Sequence, residues 1–242
     1  MQDNLMRRPV AVIAVILLVA VAWRLIPARQ SVGPPASKFM RCKNNLKQIG
    51  LALRGYRDHH GVLPPAFIAD QEGKPAHSWR VLILPFMDQQ ALYDRYRFDE
   101  PWDGPHNAQL ADLMPPAYRC PSMADPDSRR KHTSYLAIVA PDSVMSGTIP
   151  GGIGATAESQ AGAILVTESD ARTVPWMSPR DLAPDHVFAD LEPGVCPHTR
   201  GVNVLLADGS VAFLPQDTSK DEFLGLVSRS GGKPAVALDS HP

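Results

Sequence analysis

The sequence predicts an α+β protein: an apolar N-terminal helix, then an amphipathic helix packed on an antiparallel β-sheet, with irregular insertions. Three observations predict it. An apolar run, Val10 to Trp23 (VAVIAVILLVAVAW), follows Arg7 and Arg8. A single apolar stripe recurs from Phe39 to Tyr56 at helical spacing. Near the C-terminus, Asp208-Gly209 joins two short apolar runs, the signature of a hairpin.

The apolar run extends to Ile26 with Arg24 as its only charge. Its 17 residues rise about 25 Å as a helix, against a hydrocarbon layer of about 30 Å. Arg24 can snorkel, and Trp23 suits an interface. Residues 10–26 therefore read as a transmembrane helix behind a cytoplasmic tail, 1–9. The competing reading is a secretory signal peptide cleaved at Ala20-Val21-Ala22. Either reading puts the rest of the chain outside the cytoplasm.

Residues 27–37 hold three prolines and a glycine and read as a hinge. Phe39, Cys42, Leu46, Ile49, Leu53 and Tyr56 then follow at spacings of 3, 4, 3, 4 and 3, one stripe on a helix of about five turns. Ser37 is placed to cap its start, and Gly61 lies just past its end. Arg41, Lys43, Lys47 and Arg54 fall mostly off the stripe and read as a solvated face.

Residues 61–72 read as a loop. Ser78 to Tyr96 reads as two short helices bent at Pro85, the second packing Met87, Leu92 and Tyr96. Asn107 to Met114 reads as another short helix. Arg119-Cys120-Pro121-Ser122 reads as a tight corner. Ser134 to Val139 and Ala163 to Thr167 read as buried strands, with a mobile surface loop expected over 146–162. Residues 176–196 read as an irregular excursion.

The hairpin follows, Gly201 to Ala207 and Ser210 to Leu214, with a type I′ turn expected at Asp208-Gly209. Lys220 to Ser228 reads as a short helix, and 231–242 as a frayed tail. The folded domain is thus expected over 38–230.

Composition narrows the function. The 242 residues carry a formal net charge of −1. Residues 1–30 hold four arginines against Asp3 (+3), which leaves 20 basic and 24 acidic residues (−4) in the remainder. Such a mildly acidic domain has no electrostatic footprint for nucleic acid. Its 24 prolines point to many loops, and its 44% hydrophobic content to a real core. Cys42, Cys120 and Cys196 show no C-x-x-C pairing and are too scattered for a zinc site. Two readings stay open: one disulfide of undetermined pairing plus a thiol, or three buried thiols.

No stretch shows an enzyme motif that survives scrutiny. Neither H-E-x-x-H nor G-x-S-x-G occurs, and Gly151-Gly152-Ile153-Gly154 lacks a phosphate-loop frame. His59, His60, His77, His106 and His132 read as surface histidines. His198 and Asp208 sit at opposite ends of a strand, more than about 20 Å apart if it is extended, so a shared metal is not expected. His198 is expected to bond a loop backbone, and Asp208 and Gly209 to serve the turn. Trp102 with Asp99, Glu100 and Asp103 is the one cluster that suggests a ligand, a glycan or calcium.

Several stretches resemble a known family. They are CKNNLKQIGLALRGYRDHHGVLPPAF from Cys42, SWRVLILPFMDQQALYDRYRFDEPWDGPHN from Ser78, YRCPS from Tyr118, and HTRGVNVLLADGSVAFL from His198. Over residues 40–215 the chain resembles the planctomycete-type pseudopilin-like bacterial family of unknown function. That family has a prepilin-type N-terminus and a C-terminal signature of His, nine residues, Asp-Gly, matched here by His198, Asp208 and Gly209. The resemblance implies a pilin-like α+β fold. The chain departs from it at the front. Pro9 follows Arg8 where a Gly-Phe cleavage site belongs, and no acidic residue lies between positions 4 and 57. Fibre assembly through a buried helix carboxylate is therefore not expected.

These readings converge on a non-enzymatic protein with no cofactor. It is anchored in the inner (cytoplasmic) membrane by residues 10–26 and acts through protein contacts in the envelope, in a secretion- or pilus-like setting. The competing expectations are a secreted or anchored glycan or small-ligand module built on its tryptophans (Trp79, Trp102, Trp176), and, behind it, a hydrolase or metal-dependent enzyme.

Overall fold

The computed structural model describes residues 35–121, 130–148, 162–192, 198 and 200–228. The expected membrane segment (10–26), Cys196, the glycine motif at 151–154 and the tail lie outside the described residues. Among the described residues no helix is long and apolar enough to cross a membrane.

The fold is α+β with antiparallel sheets. Helix α1 spans Pro35–His60, 26 residues. It starts two residues before Ser37, so that residue lies inside the helix rather than at its cap. It stops where expected: Gly61 takes φ +78° and donates its N–H to the Arg57 carbonyl at 2.7 Å. The stripe behaves as the spacing predicts. Cys42, Leu46, Ile49 and Leu53 are buried, and Phe39 and Tyr56 half-buried at its ends.

The main sheet has four strands: β4 (Tyr135–Ala137), β5 (Ile164–Glu168), β7 (Gly201–Leu206) and β8 (Val211–Pro215), adjacent in that order. All three pairings are antiparallel. One face packs under α1 through Tyr135, Ala137, Leu165, Val166 and Leu205. A register shift between Ile164 and Val166 lets two consecutive residues of β5 reach that face. The opposite face carries Leu136, Ile138, Val202, Val204 and Leu214. It is covered by α4 (Pro184–Asp190) and α5 (Lys220–Val227), chiefly through Val187, Leu191, Phe223 and Leu226. Burial on both faces explains why β7 reads GVNVLL, a nearly continuous apolar run instead of an alternation.

Three sequence readings need correction. The stretch 61–72 contains β1 (Phe67–Ala69), which pairs with β2 (Pro75–Ser78) across a turn at Asp70–Lys74. The stretch 176–196 contains α4. The hairpin turn is not type I′, because Asp208 does not take positive φ; Gly209 alone does, at +86°. The Gly209 N–H reaches the Leu206 carbonyl and the Leu206 N–H the Ser210 carbonyl, each at 2.9 Å. This is a type I turn closed by a glycine bulge, the usual three-residue hairpin loop.

The insertion between α1 and β4 is wound from short pieces: α2 (Trp79–Leu82), a 3₁₀ turn at Leu84–Met87 that begins at the Pro85 bend, α3 (Gln90–Tyr93) and a 3₁₀ turn at Asn107–Leu113. Leu92 and Tyr96 are buried and Met87 packs beside them, as the spacing predicts. A strand pair β3 (His132–Thr133) and β6 (Val174–Pro175) closes the other side.

Helix and hairpin meet at Gly50. A Cβ there would stand 2.7 Å from Leu205 Cδ1 and 3.3 Å from the Gly209 carbonyl oxygen. Arg54, one turn on, donates to the Asp208 carbonyl. Gly50→Val should therefore push α1 off the hairpin and cost about 1–3 kcal/mol, read as a lower urea midpoint with an unchanged slope. An unchanged midpoint would show that the helix does not approach the hairpin this closely.

Candidate functional site

Five segments converge beneath the first half of α1. Cys42 and Asn45 come from α1, Cys120 from the corner after the 3₁₀ turn Pro116–Tyr118, and Tyr135 from β4. Glu168 ends β5, and His198 and Asn203 come from the start of the C-terminal hairpin. Cys42, Cys120, Tyr135, Glu168 and Asn203 are all buried.

A buried carboxylate is costly unless it is paired and hydrogen-bonded. Glu168 Oε1 accepts the Asn203 backbone N–H at 2.7 Å and its side-chain Nδ2 at 2.8 Å. His198 Nε2 lies 2.9 Å from the same oxygen. That nitrogen is not aligned for a regular hydrogen bond to Glu168. Among the described residues, Glu168 Oε2 and Asn203 Oδ1 have no hydrogen-bond partner.

Burial raises the Glu168 pKa, opposed by His198 and Asn203. Burial alone would lower that of His198, but Cys42 and Glu168 outweigh it and push it up to about 10. His198 is thus held as an imidazolium beside the Glu168 carboxyl group. Phe39 sets its ring edge-on to the imidazole at 5.0 Å and closes the site at the start of the stripe.

The sulfur side is equally crowded. Cys42 Sγ and Cys120 Sγ stand 2.8 Å apart. Asn45 Nδ2 reaches the Arg119 carbonyl at 2.8 Å and the Tyr135 hydroxyl at 3.1 Å, tying the corner to the helix. Cys42 Sγ, a Glu168 oxygen and a His198 nitrogen all lie within 4.8 Å of one another, the one such group of three potential metal ligands among the described residues. Sulfur, nitrogen and oxygen together are a donor set that zinc accepts.

Several sequence readings are therefore revised. The cysteines are scattered in sequence, yet Cys42 joins a cluster that could hold a metal. His198 Nε2 faces a buried carboxyl group, a neighbour its position in sequence does not suggest. Asp208 does not join it: it serves the turn, its Oδ1 accepting the Ser210 N–H at 2.7 Å. His77 is not a surface residue; it is buried with Nδ1 2.9 Å from the Tyr96 hydroxyl. His132 sits half-buried in β3.

Sequence reasoning missed Glu168 and Asn203 altogether. Their signal was present: a carboxylate closing the buried strand AILVT and an amide inside the apolar run GVNVLL. Polar residues in such places need partners.

A second buried pair lies nearby. Arg80 Nη2 and Asp181 Oδ1 are 2.6 Å apart and both essentially inaccessible. Arg80 also donates to the Tyr135 and Ser178 carbonyls, and Asp181 accepts the Ala137 N–H and the Trp79 indole N–H. Every arm of Arg80 points at the scaffold, which makes it a strut.

The expected ligand loop is mostly consumed by its own structure. Buried Asn107 donates its side-chain amide to the Arg97 and Pro101 carbonyls and accepts the Arg97 N–H. Glu100 accepts the Asn107 N–H at 2.6 Å. Trp102 is half-buried against the core, and Asp99 and Asp103 are exposed. The three carboxylates do not converge on a common point among the described residues. Trp79 and Trp176 are buried, which removes them from any sugar-stacking surface. Beside this loop runs an open groove of about 870 Å³, lined by Ile68, His77, Tyr93 and Phe98 with Asp70 and Asp99 at its rim.

A family model described as a protein of unknown function (DUF1559) matches residues 36–174, more than half of the chain. The chain belongs to that family. No curated protein and no solved structure matches it. The family match takes in α1, the insertion, β4 and β5, so Cys42, Cys120 and Glu168 fall within it, whereas His198, Asn203 and the Asp208-Gly209 turn lie beyond it.

The ion pair gives a sharp expectation. His198→Ala leaves a buried carboxylate uncompensated and should cost about 3–5 kcal/mol, whereas His198→Gln with Glu168→Gln should cost clearly less. In its native setting His198 binds its proton more tightly than in the unfolded chain, where the pKa is 6.5. Its stabilisation is therefore complete below about pH 6.5 and fades as pH rises towards 10. The ¹⁵N shifts of His198 should stay those of an imidazolium at pH 8; titration near pH 6.5 would contradict the pairing.

Proposed function

We propose that this chain is a pseudopilin-like envelope protein. Residues 10–26 hold it in the cytoplasmic membrane, its domain lies outside, and it acts by binding other proteins rather than by catalysis. The observation that carries this reading is the outer face of α1. While the stripe is buried, Met40, Asn44, Lys47, Leu51 and Arg54 form a second, exposed row along the helix, with Leu51 66% accessible. A long helix that follows an apolar segment in sequence and keeps one side bare is suited to lateral contacts near a membrane. That row has two apolar residues among basic and amide ones and no acid before Asp58, so it suits a partner surface of mixed apolar and acidic character. The internal use of His198, Glu168 and Asn203 supports a structural role for the His–nine residues–Asp-Gly stretch. The missing prepilin cleavage site supports an anchored protein over a fibre subunit.

A second reading, a glycan or small-ligand module, is favoured by the groove beside Phe98. It predicts perturbed resonances at Tyr93 and Phe98 on adding oligosaccharide. The two readings separate cleanly.

Intact mass and N-terminal sequencing of the protein from membrane and medium fractions should find a membrane-bound form that still carries residues 10–26. A photo-crosslinker in place of Leu51 should capture a discrete protein partner there. A soluble form beginning at Trp23, with no adduct at position 51, would overturn the anchored contact protein.

A further inference from the structure

We infer that Cys42 and Cys120 are disulfide partners, forming a covalent bond between α1 and the corner that ends the insertion, with Cys196 left as a thiol. The geometry points there. The two sulfurs are buried and 2.8 Å apart. Non-bonded heavy atoms rest at about 3.5–4.0 Å, so two thiols do not sit comfortably at this separation. A disulfide needs about 2.05 Å, a small closure from the position observed. The corner is already tied to the helix by Asn45, whose side-chain amide donates to the Arg119 carbonyl, one residue before Cys120. The bond would close a loop of 78 residues in sequence separation around the whole insertion of short helical pieces, the part of the domain with the least regular backbone.

The same atoms fit a metal less well. Two thiolates on one zinc ion, each at about 2.3 Å in a tetrahedron, stand about 3.8 Å apart, farther than the sulfurs are here. The Glu168 oxygen that faces His198 already accepts two N–H groups from Asn203. Cys42 and Cys120 are thus better placed to bond to each other than to share an ion.

Bond formation breaks two S–H bonds and makes one S–S bond. Two electrons and two protons pass to a disulfide oxidant, protein or small molecule, which is reduced to a dithiol. Because both sulfurs are buried in the finished domain, the exchange takes place on the partly folded chain. The inference rests on the extracytoplasmic reading only for the supply of this oxidant, and the pairing is tested separately from it.

The full-length chain is unfolded and reduced, then refolded in detergent with a glutathione redox buffer. Remaining thiols are alkylated, and the protein is digested without reduction. The expected result is one crosslinked peptide pair containing Cys42 and Cys120, with Cys196 alkylated, and a melting point about 10 °C lower after reduction. Cys196→Ser should leave both unchanged. A crosslink that includes Cys196, or three alkylated thiols with about one equivalent of zinc retained when zinc is supplied, would overturn the pairing. The same peptide map on protein taken directly from cells with thiols trapped reads the compartment. The linked pair there supports the inference in full; reduced thiols there, with the linked pair on refolding, overturn the extracytoplasmic placement and not the partners.

Discussion

The structure depends on one seam, the stripe of α1 laid across the middle of the sheet. Most of a helix's stability in a folded protein comes from packing its apolar face, and strands as short as β4 and β5 need a covered face. Each supplies what the other lacks. Leu46, Ile49 and Leu53 come down on Leu165, Val166 and Leu205, and Gly50 lets the two backbones close to contact distance at the hairpin turn. The insertion, the strand pair β3–β6 and the helices on the far face are arranged around that seam.

What is unusual about the seam is its polarity at one end. Beneath the first half of α1 the apolar core gives way to Cys42, Glu168, His198 and Asn203. Burying such groups favours the fold only when each is answered locally. Glu168 is answered at Oε1 by two N–H groups and an imidazolium, and Arg80 and Asp181 answer each other nearby. The cost of an ill-fitting alternative is therefore high, since a slip in the register of β5 or β7 would strand a carboxylate in the core.

Much of the fold was legible in the sequence. The stripe from Phe39 to Tyr56 gave α1 and its buried face, Pro85 marked the bend in the insertion, and Asp208-Gly209 located the hairpin. Each is a local rule, a period or a backbone requirement. The turn type was misread because Asp-Gly serves two hairpin loops, and the choice depends on how the strands beyond it pair. The strand β1 was missed because three residues between prolines carry no measurable alternation.

The site was harder to read, because its members lie far apart in sequence. Cys42 reads as one residue of a stripe and one of three scattered cysteines, Glu168 lies just past the strand read over Ala163 to Thr167, and His198 reads as a loop residue kept apart from Asp208 by a whole strand. Only the antiparallel pairing of β5 with β7 puts Glu168 opposite Asn203, and only the path of the chain before β7 brings His198 over it. Membership of a family of unknown function adds the fold's breadth and leaves the chemistry to the residues.

The central claim is that α1 and the sheet form one cooperative unit, locked at its polar end by the Glu168 cluster. Native-state hydrogen exchange tests it most directly. Amides of α1 from Cys42 to Leu53 should exchange only through global unfolding, with the same free energy and denaturant dependence as those of β5 and β7. Exchange of α1 through a separate, lower-energy opening, while the sheet stays protected, would contradict it.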